Sequence, residues 1–129
     1  MYISVVITCH NEEAYIEQCV NSVVTQSDYQ NIKEIFVVDD GSTDNSPKVL
    51  TRLKLNCNKL KVITTKGLGL PAARNIAIKS ASSEFIAFLD ADDFWTKNKL
   101  LNQFHIIKKD LSIGLVYGDY WDFKKPDAS

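Results

Sequence analysis

Phe85-Ile86-Ala87-Phe88-Leu89-Asp90-Ala91-Asp92-Asp93 decides the reading of this chain. Five apolar residues run without interruption and stop at three carboxylates. A run of this kind, aromatic and aliphatic, fits a strand buried on both faces, as in a parallel sheet. The carboxylates then stand at the strand's C-terminal end, the rim where open α/β sheets bind ligands. Asp90 and Asp92 share a side of an extended strand and repel each other. A hard cation such as Mg2+ or Mn2+ offsets that repulsion and can hold a phosphate-bearing ligand. The plain alternative for so short a motif is an acidic loop opening a helix, with Asp93 near its N-cap.

Outward from this stretch, strand and helix patterns alternate. Tyr2 to Thr8, rich in Val and Ile, reads as a first strand, followed by the polar turn Cys9-His10-Asn11-Glu12-Glu13. A helix is expected from about Glu13 to Gln26, because Ile16, Cys19, Val20, Val23 and Val24 recur on one face of a 3.6-residue period. Ile35 to Val38 gives a second strand, stopped by Asp39-Asp40-Gly41-Ser42-Thr43-Asp44, where Thr43 or Asp44 can cap the next helix. That helix turns Val49, Leu50 and Leu53 inward. Leu60 to Thr64 is a third strand. Lys66 to Pro71 is a loop, and Ala72 to Ala81 a helix with Ile76, Ala77 and Ser80 against the sheet.

Beyond the opening stretch, Lys97 to Lys109 reads as an amphipathic helix with Leu100, Leu101, Phe104 and Ile107 facing in. Ile113 to Tyr117 reads as a fifth strand, and the chain turns polar at Lys124-Lys125-Pro126-Asp127. The alternation implies a three-layer α/β/α fold on a mostly parallel sheet with right-handed crossovers. The polar clusters Thr8 to Glu12, Asp39 to Asp44 and Asp90 to Asp93 would then share one rim.

Composition bounds the function. The 129 residues form one domain, 1–129, with 45% hydrophobic and 24% charged residues, an ordinary globular balance. A net charge of -1 argues against a broad nucleic-acid-binding surface. No apolar run approaches the roughly 20 residues of a membrane span. The strand-like start at Tyr2 predicts no signal peptide. Cys9, Cys19 and Cys57 form no CxxC pattern, read as small core residues, and suit a reducing cytoplasm. His105 reads as a surface residue and Trp95 as a helix-packing one.

Four ordered segments carry a resemblance: Val5 to Glu12, Phe36 to Asp44, Gly69-Leu70-Pro71-Ala72-Ala73-Arg74-Asn75, and Phe88 to Asp93. Together they resemble the glycosyltransferase family 2 catalytic domain, of GT-A fold, in its opening strand, VVDDGSTD signature, AARN loop and DxD motif. The resemblance implies a Rossmann-like, nucleotide-binding half of that fold. It implies transfer of a sugar, with inversion, from a nucleotide-diphosphate sugar of UDP type to a saccharide or lipid-linked acceptor.

By the same resemblance, Thr8 and His10 line the base and ribose pocket, and Glu12 touches the ribose side or orders the turn. Asp40 accepts a hydrogen bond from the base while Asp39 braces the turn, and Arg74 serves the base or diphosphate region. Asp90 and Ala91 lie near the ribose, and Asp92 ligates the Mg2+ or Mn2+. The family's general base is an acidic residue further downstream. Asp119 and Asp122 follow the fifth strand too closely to supply it, so no catalytic residue is assigned. The chain therefore reads as the N-terminal, donor-binding part of a longer transferase, acting in the cytoplasm at the inner face of a membrane. Membrane-surface association through the missing portion is expected, and so is a homodimer through Val116 to Phe123.

Two alternatives stand beside this. One is a non-catalytic sugar-nucleotide-binding module. The other is phosphoryl transfer using the DxD. The phosphatases that share such a DxD favour Thr or Val where this chain has Phe94, and receiver domains place Lys where it has Asp119.

Overall fold

The computed structural model describes residues 1–118. Four strands, β1 (Ile3–Cys9), β2 (Ile32–Asp40), β3 (Leu60–Thr65) and β4 (Phe85–Asp90), form one parallel sheet in the order β3-β2-β1-β4. Helices α1 (Ile16–Val24), α2 (Ser46–Leu55) and α3 (Leu70–Ser80) make the crossovers, and α4 (Lys99–Lys109) follows β4. A 3-10 turn at Tyr29–Asn31 leads into β2.

The alternation of side chains along β1 and β2 sorts them between two faces. Val5, Ile7 and Cys9, with Ile35 and Val37, pack against Ile16, Cys19, Val20 and Val23 of α1, Leu50 of α2, and Leu100, Phe104 and Ile107 of α4. Val6, Phe36 and Val38 face the other way, onto Ala73 and Ala77 of α3. Alanines here let α3 lie close to the sheet. The three-layer α/β/α arrangement is therefore the one the periodicity predicts. Burying side chains such as Ile7 and Ile35 contributes about 1.5–3 kcal/mol each, which makes the β1–β2 pair the stability centre.

The opposite end of the sheet carries a polar knot centred on the buried Glu34. The Glu34 carboxylate accepts from Ser4 Oγ at 2.8 Å, Ser82 N at 2.8 Å, Ser82 Oγ at 2.9 Å and Lys61 Nζ at 2.9 Å. Burial raises its pKa, but Lys61 and these donors outweigh burial and hold it down to about 2.

Several expectations need correction. β4 is not buried on both faces: among the described residues it pairs only with β1, and Phe88 is 49% exposed. Ile113 to Tyr117 forms no strand, and Leu115 and Tyr117 are 81% and 87% exposed. Its composition suits a strand, but a strand exists through its ladder, and among the described residues this segment makes none. β2 extends to Asp40, so both aspartates are strand residues. α1 starts at Ile16, because Glu12 O accepts from Tyr15 N at 3.0 Å and Ile16 N at 2.9 Å in a preceding turn. Asn45, not Thr43 or Asp44, stands at the α2 N-cap position. Ser80 is exposed and bonds back to Ile76 O, leaving Ala73 to meet the sheet. Asp119, Trp121, Asp122 and Lys124 to Asp127 lie outside the described residues, as does most of the expected dimer surface.

Candidate functional site

Parallel strands put like ends on one edge. Cys9 stands beside Asp39, Thr8 beside Asp90, and Asp40 beside Thr65 in the sheet register. Asp92 follows β4 by two residues, so Asp40 and Asp92 belong to the same rim. A cleft of about 250 Å3, lined by Val20, Val24, Tyr29, Leu53 and Cys57 among others, lies between α1 and α2, away from those tips.

Asp40 joins the tip of β2 to the loop before α3. Its Oδ1 accepts from Thr65 Oγ1 at 2.6 Å and Leu68 N at 2.7 Å, and its Oδ2 from Gly69 N at 2.8 Å. The Thr65 hydroxyl first, and then these backbone N–H groups, hold its pKa below the ordinary carboxylate value. The loop can curl this way because Gly41, Gly67 and Gly69 take φ of 72°, 71° and 91°. Gly41 also meets Gly67 so closely that a Cβ on it would sit 3.0 Å from Gly67 N. Asp39 accepts instead from the Ser42 hydroxyl and braces its own turn, as expected.

The β1–α1 turn is laced to the same loops. His10 Nδ1 lies 2.7 Å from Asp40 O and must donate, since a carbonyl only accepts. Asn11 adopts φ 53°, and its Oδ1 accepts from Thr43 N at 2.7 Å and Asp44 N at 3.2 Å. Asn tolerates this left-handed conformation better than most residues. Glu12 N donates to Ser46 Oγ at 2.9 Å, which fits its expected part in ordering the turn. The imidazole of His10 is exposed at the rim.

At β4, Thr8 Oγ1 donates to Asp90 Oδ1 at a long 3.5 Å. Ala91 is buried, and its N–H donates to Thr8 O at 3.1 Å, so it contributes backbone to the rim. Arg74, from the first half of α3, brings its guanidinium within 3.7 Å of Asp90 and 5.4 Å of the Phe88 ring centroid. Asp90, Asp92 and Asp93 are exposed, and each offers a carboxylate oxygen within 4.8 Å of the others. Burial first, then the charges of Asp92 and Asp90, raises the pKa of Asp93. Hard oxygen donors this close fit Mg2+ or Mn2+.

The expected site residues thus fall into two linked groups, His10 with Asp40, and Thr8, Arg74, Asp90 and Ala91 with Asp92. Asp93 is brought into the acidic cluster rather than to an N-cap, since Asn98 precedes α4. Asn11 and Phe88 join the site beyond the expected residues, and a strand-following Asn and an aromatic two residues before Asp90 are their signals in the sequence. Trp95 is buried in the core and His105 is exposed, as expected. Cys9 and Cys19 are buried free thiols, and Cys57 is half-buried against the core.

A parallel α/β sheet with acidic strand tips and Arg74 of α3 on one rim has the layout in which open α/β folds bind ligands, and its likeness to solved structures places it among GT-A folds. The chain belongs to glycosyl transferase family 2, whose model matches residues 4–127. It is 39% identical over 120 residues to WfgD of Escherichia coli, a UDP-Glc:alpha-D-GlcNAc-diphosphoundecaprenol beta-1,3-glucosyltransferase, across 92% of this chain and 45% of WfgD. It resembles a fragment of TarS of S. aureus in complex with UDP, at TM-score 0.75 and 33% identity, across 84% of this chain and 32% of that one. It also resembles the mannosyltransferase PcManGT of Pyrobaculum calidifontis in complex with GDP-Man and Mn2+, at TM-score 0.75 and 26% identity, across 81% and 32%. The chain spans under half the length of the curated relatives it matches. Membership in this family, with the DxD after the fourth strand rather than the first, sets the phosphoryl-transfer alternative aside.

Proposed function

We propose that this chain is the donor-binding part of a glycosyltransferase that uses a nucleotide-diphosphate sugar of UDP type. The observation that carries the reading is the placement of His10, Asp40, Arg74, Asp90 and Asp92 on adjoining strand tips and the start of α3, on one rim. Thr8 and His10 line the base and ribose, and the exposed imidazole offers a face on which a base can stack. Asp40 accepts a base N–H beside the loop amides it already holds. Glu12 and Ala91 shape the ribose side, and Arg74 faces the diphosphate.

Asp92, with Asp90 and Asp93 beside it, holds the divalent cation. A bound Mg2+ or Mn2+ supplies Lewis-acid stabilisation of charge on the nucleoside diphosphate leaving group. The acceptor is a saccharide or lipid-linked sugar, in keeping with the name of WfgD, and the transfer proceeds with inversion. The acceptor hydroxyl must give up its proton to a general base, and none of the residues assigned to this rim is placed to take it. No described helix is long and apolar enough to cross a membrane.

Isothermal titration of the chain with UDP in the presence of Mn2+ tests the reading. Binding with a dissociation constant below about a millimolar supports it. No heat from UDP or GDP at millimolar concentration, with Mn2+ present and the chain folded, overturns it.

A further inference from the structure

We infer that Phe88 is a positioning residue: its exposed ring holds the Arg74 guanidinium at the tip of β4, where a donor diphosphate must arrive. The inference rests on the proposed donor-binding reading and goes beyond it by assigning a part to a residue of the strand itself.

The argument starts from the weakness of the alternative restraint. Arg74 and Asp90 approach at 3.7 Å, but their side chains are 38% and 57% exposed. An exposed pair at that distance is screened and does little to order a flexible arginine. Phe88 supplies the second restraint. In the β1–β4 register it lies beside Val6, which faces α3. The Phe88 ring is therefore carried on the α3 side, two residues before Asp90. There the guanidinium stands 5.4 Å from its centroid, within cation–π range.

The Phe88 ring, 49% exposed, leaves part of its face open to the guanidinium. At a partly exposed site such a contact is weaker than in a dry one, and it orients the cation while leaving part of its hydration in place. Among the described residues the guanidinium has Asp90 on one side and the ring on another, which leaves its remaining donors for phosphate oxygens. Preorganisation of this kind lowers the cost of ordering a long side chain on binding.

The test compares ligands with and without phosphates. Titrations use UDP with Mn2+, and uridine, on the chain and on Phe88→Leu, Phe88→Tyr, Arg74→Ala and the Phe88→Leu/Arg74→Ala double variant, each checked for folding by circular dichroism. GDP and guanosine replace the uridine pair if the chain prefers guanine. Phe88→Leu is expected to weaken UDP binding by about threefold to tenfold and leave uridine unchanged. Phe88→Tyr keeps the ring face and should bind UDP as the parent does. The double variant should be no weaker than Arg74→Ala alone.

Equal loss for UDP and uridine in Phe88→Leu, or losses that add in the double variant, would show a packing role and overturn the inference while leaving the donor-binding reading standing. So would parent-like UDP affinity in Phe88→Leu. A parent chain that binds neither nucleotide overturns the donor-binding reading, and the inference with it.

Discussion

Asp40 at the tip of β2 accepts the backbone N–H of Gly69 at 2.8 Å, across 29 residues of sequence. With Thr65 and Leu68 on its other oxygen, this bond fixes the loop that starts α3, and hence the helix that carries Arg74. A strand-end carboxylate therefore sets the position of a cation on another element.

Replacing Asp40 by Ala should loosen that loop. Two backbone N–H groups and the Thr65 hydroxyl lose their acceptor, and the Leu68 and Gly69 amides should exchange with solvent roughly tenfold faster or more. Asp40→Asn keeps an acceptor oxygen and should show a smaller increase. Hydrogen exchange read by NMR or mass spectrometry checks both, and unchanged protection in Asp40→Ala would contradict the latch.

Gly41→Ala should destabilise the protein by about 1–3 kcal/mol. The new Cβ demands φ 72° of an alanine and meets Gly67 N at 3.0 Å, a backbone atom that cannot swing aside. Thermal unfolding should show a lower midpoint. Gly67→Ala, where a Cβ meets nothing within 4 Å, should cost only the φ strain and fall between the two.

The Glu34 knot predicts an acid-sensitive stability. Its folded pKa of about 2 lies below the ordinary value of 4.5, so the folded state binds this proton less readily than the unfolded chain. The stabilisation is present above about pH 4.5 and is lost as pH falls from there toward 2. It amounts to at most about 3 kcal/mol. Glu34→Gln should flatten that part of a urea-unfolding profile taken from pH 5 to pH 2.5; an unchanged slope would remove Glu34 as its source.

Asp92→Asn should weaken the Mn2+-dependent part of UDP binding by tenfold or more, because one anionic oxygen leaves a set whose members lie within 4.8 Å. Asp93→Asn should have a smaller effect in the same direction. Chelating the metal should bring the parent chain to the level of Asp92→Asn. UDP affinity indifferent to Mn2+ and to both substitutions would contradict the metal assignment.

The sequence by itself determined the order of strands and helices, the inward faces of α1 and α4, and the gathering of acidic tips on one rim. These follow from short-range periodicity and from the parallel topology that alternation imposes. Through the family resemblance it also marked Asp39 as the brace of its own turn, and the structure supplies the partner, the Ser42 hydroxyl. Only the tertiary structure decided which loop Asp40 grips, that Phe88 stands beside Arg74, and that Ile113 to Tyr117 joins no ladder among the described residues. Contacts of this kind join partners distant in the chain, as with Thr8 and Asp90, separated by 82 residues. A local pattern can say that a residue is polar or apolar and at a strand end. Which distant donor reaches it is set by how the helices pack the strands into register.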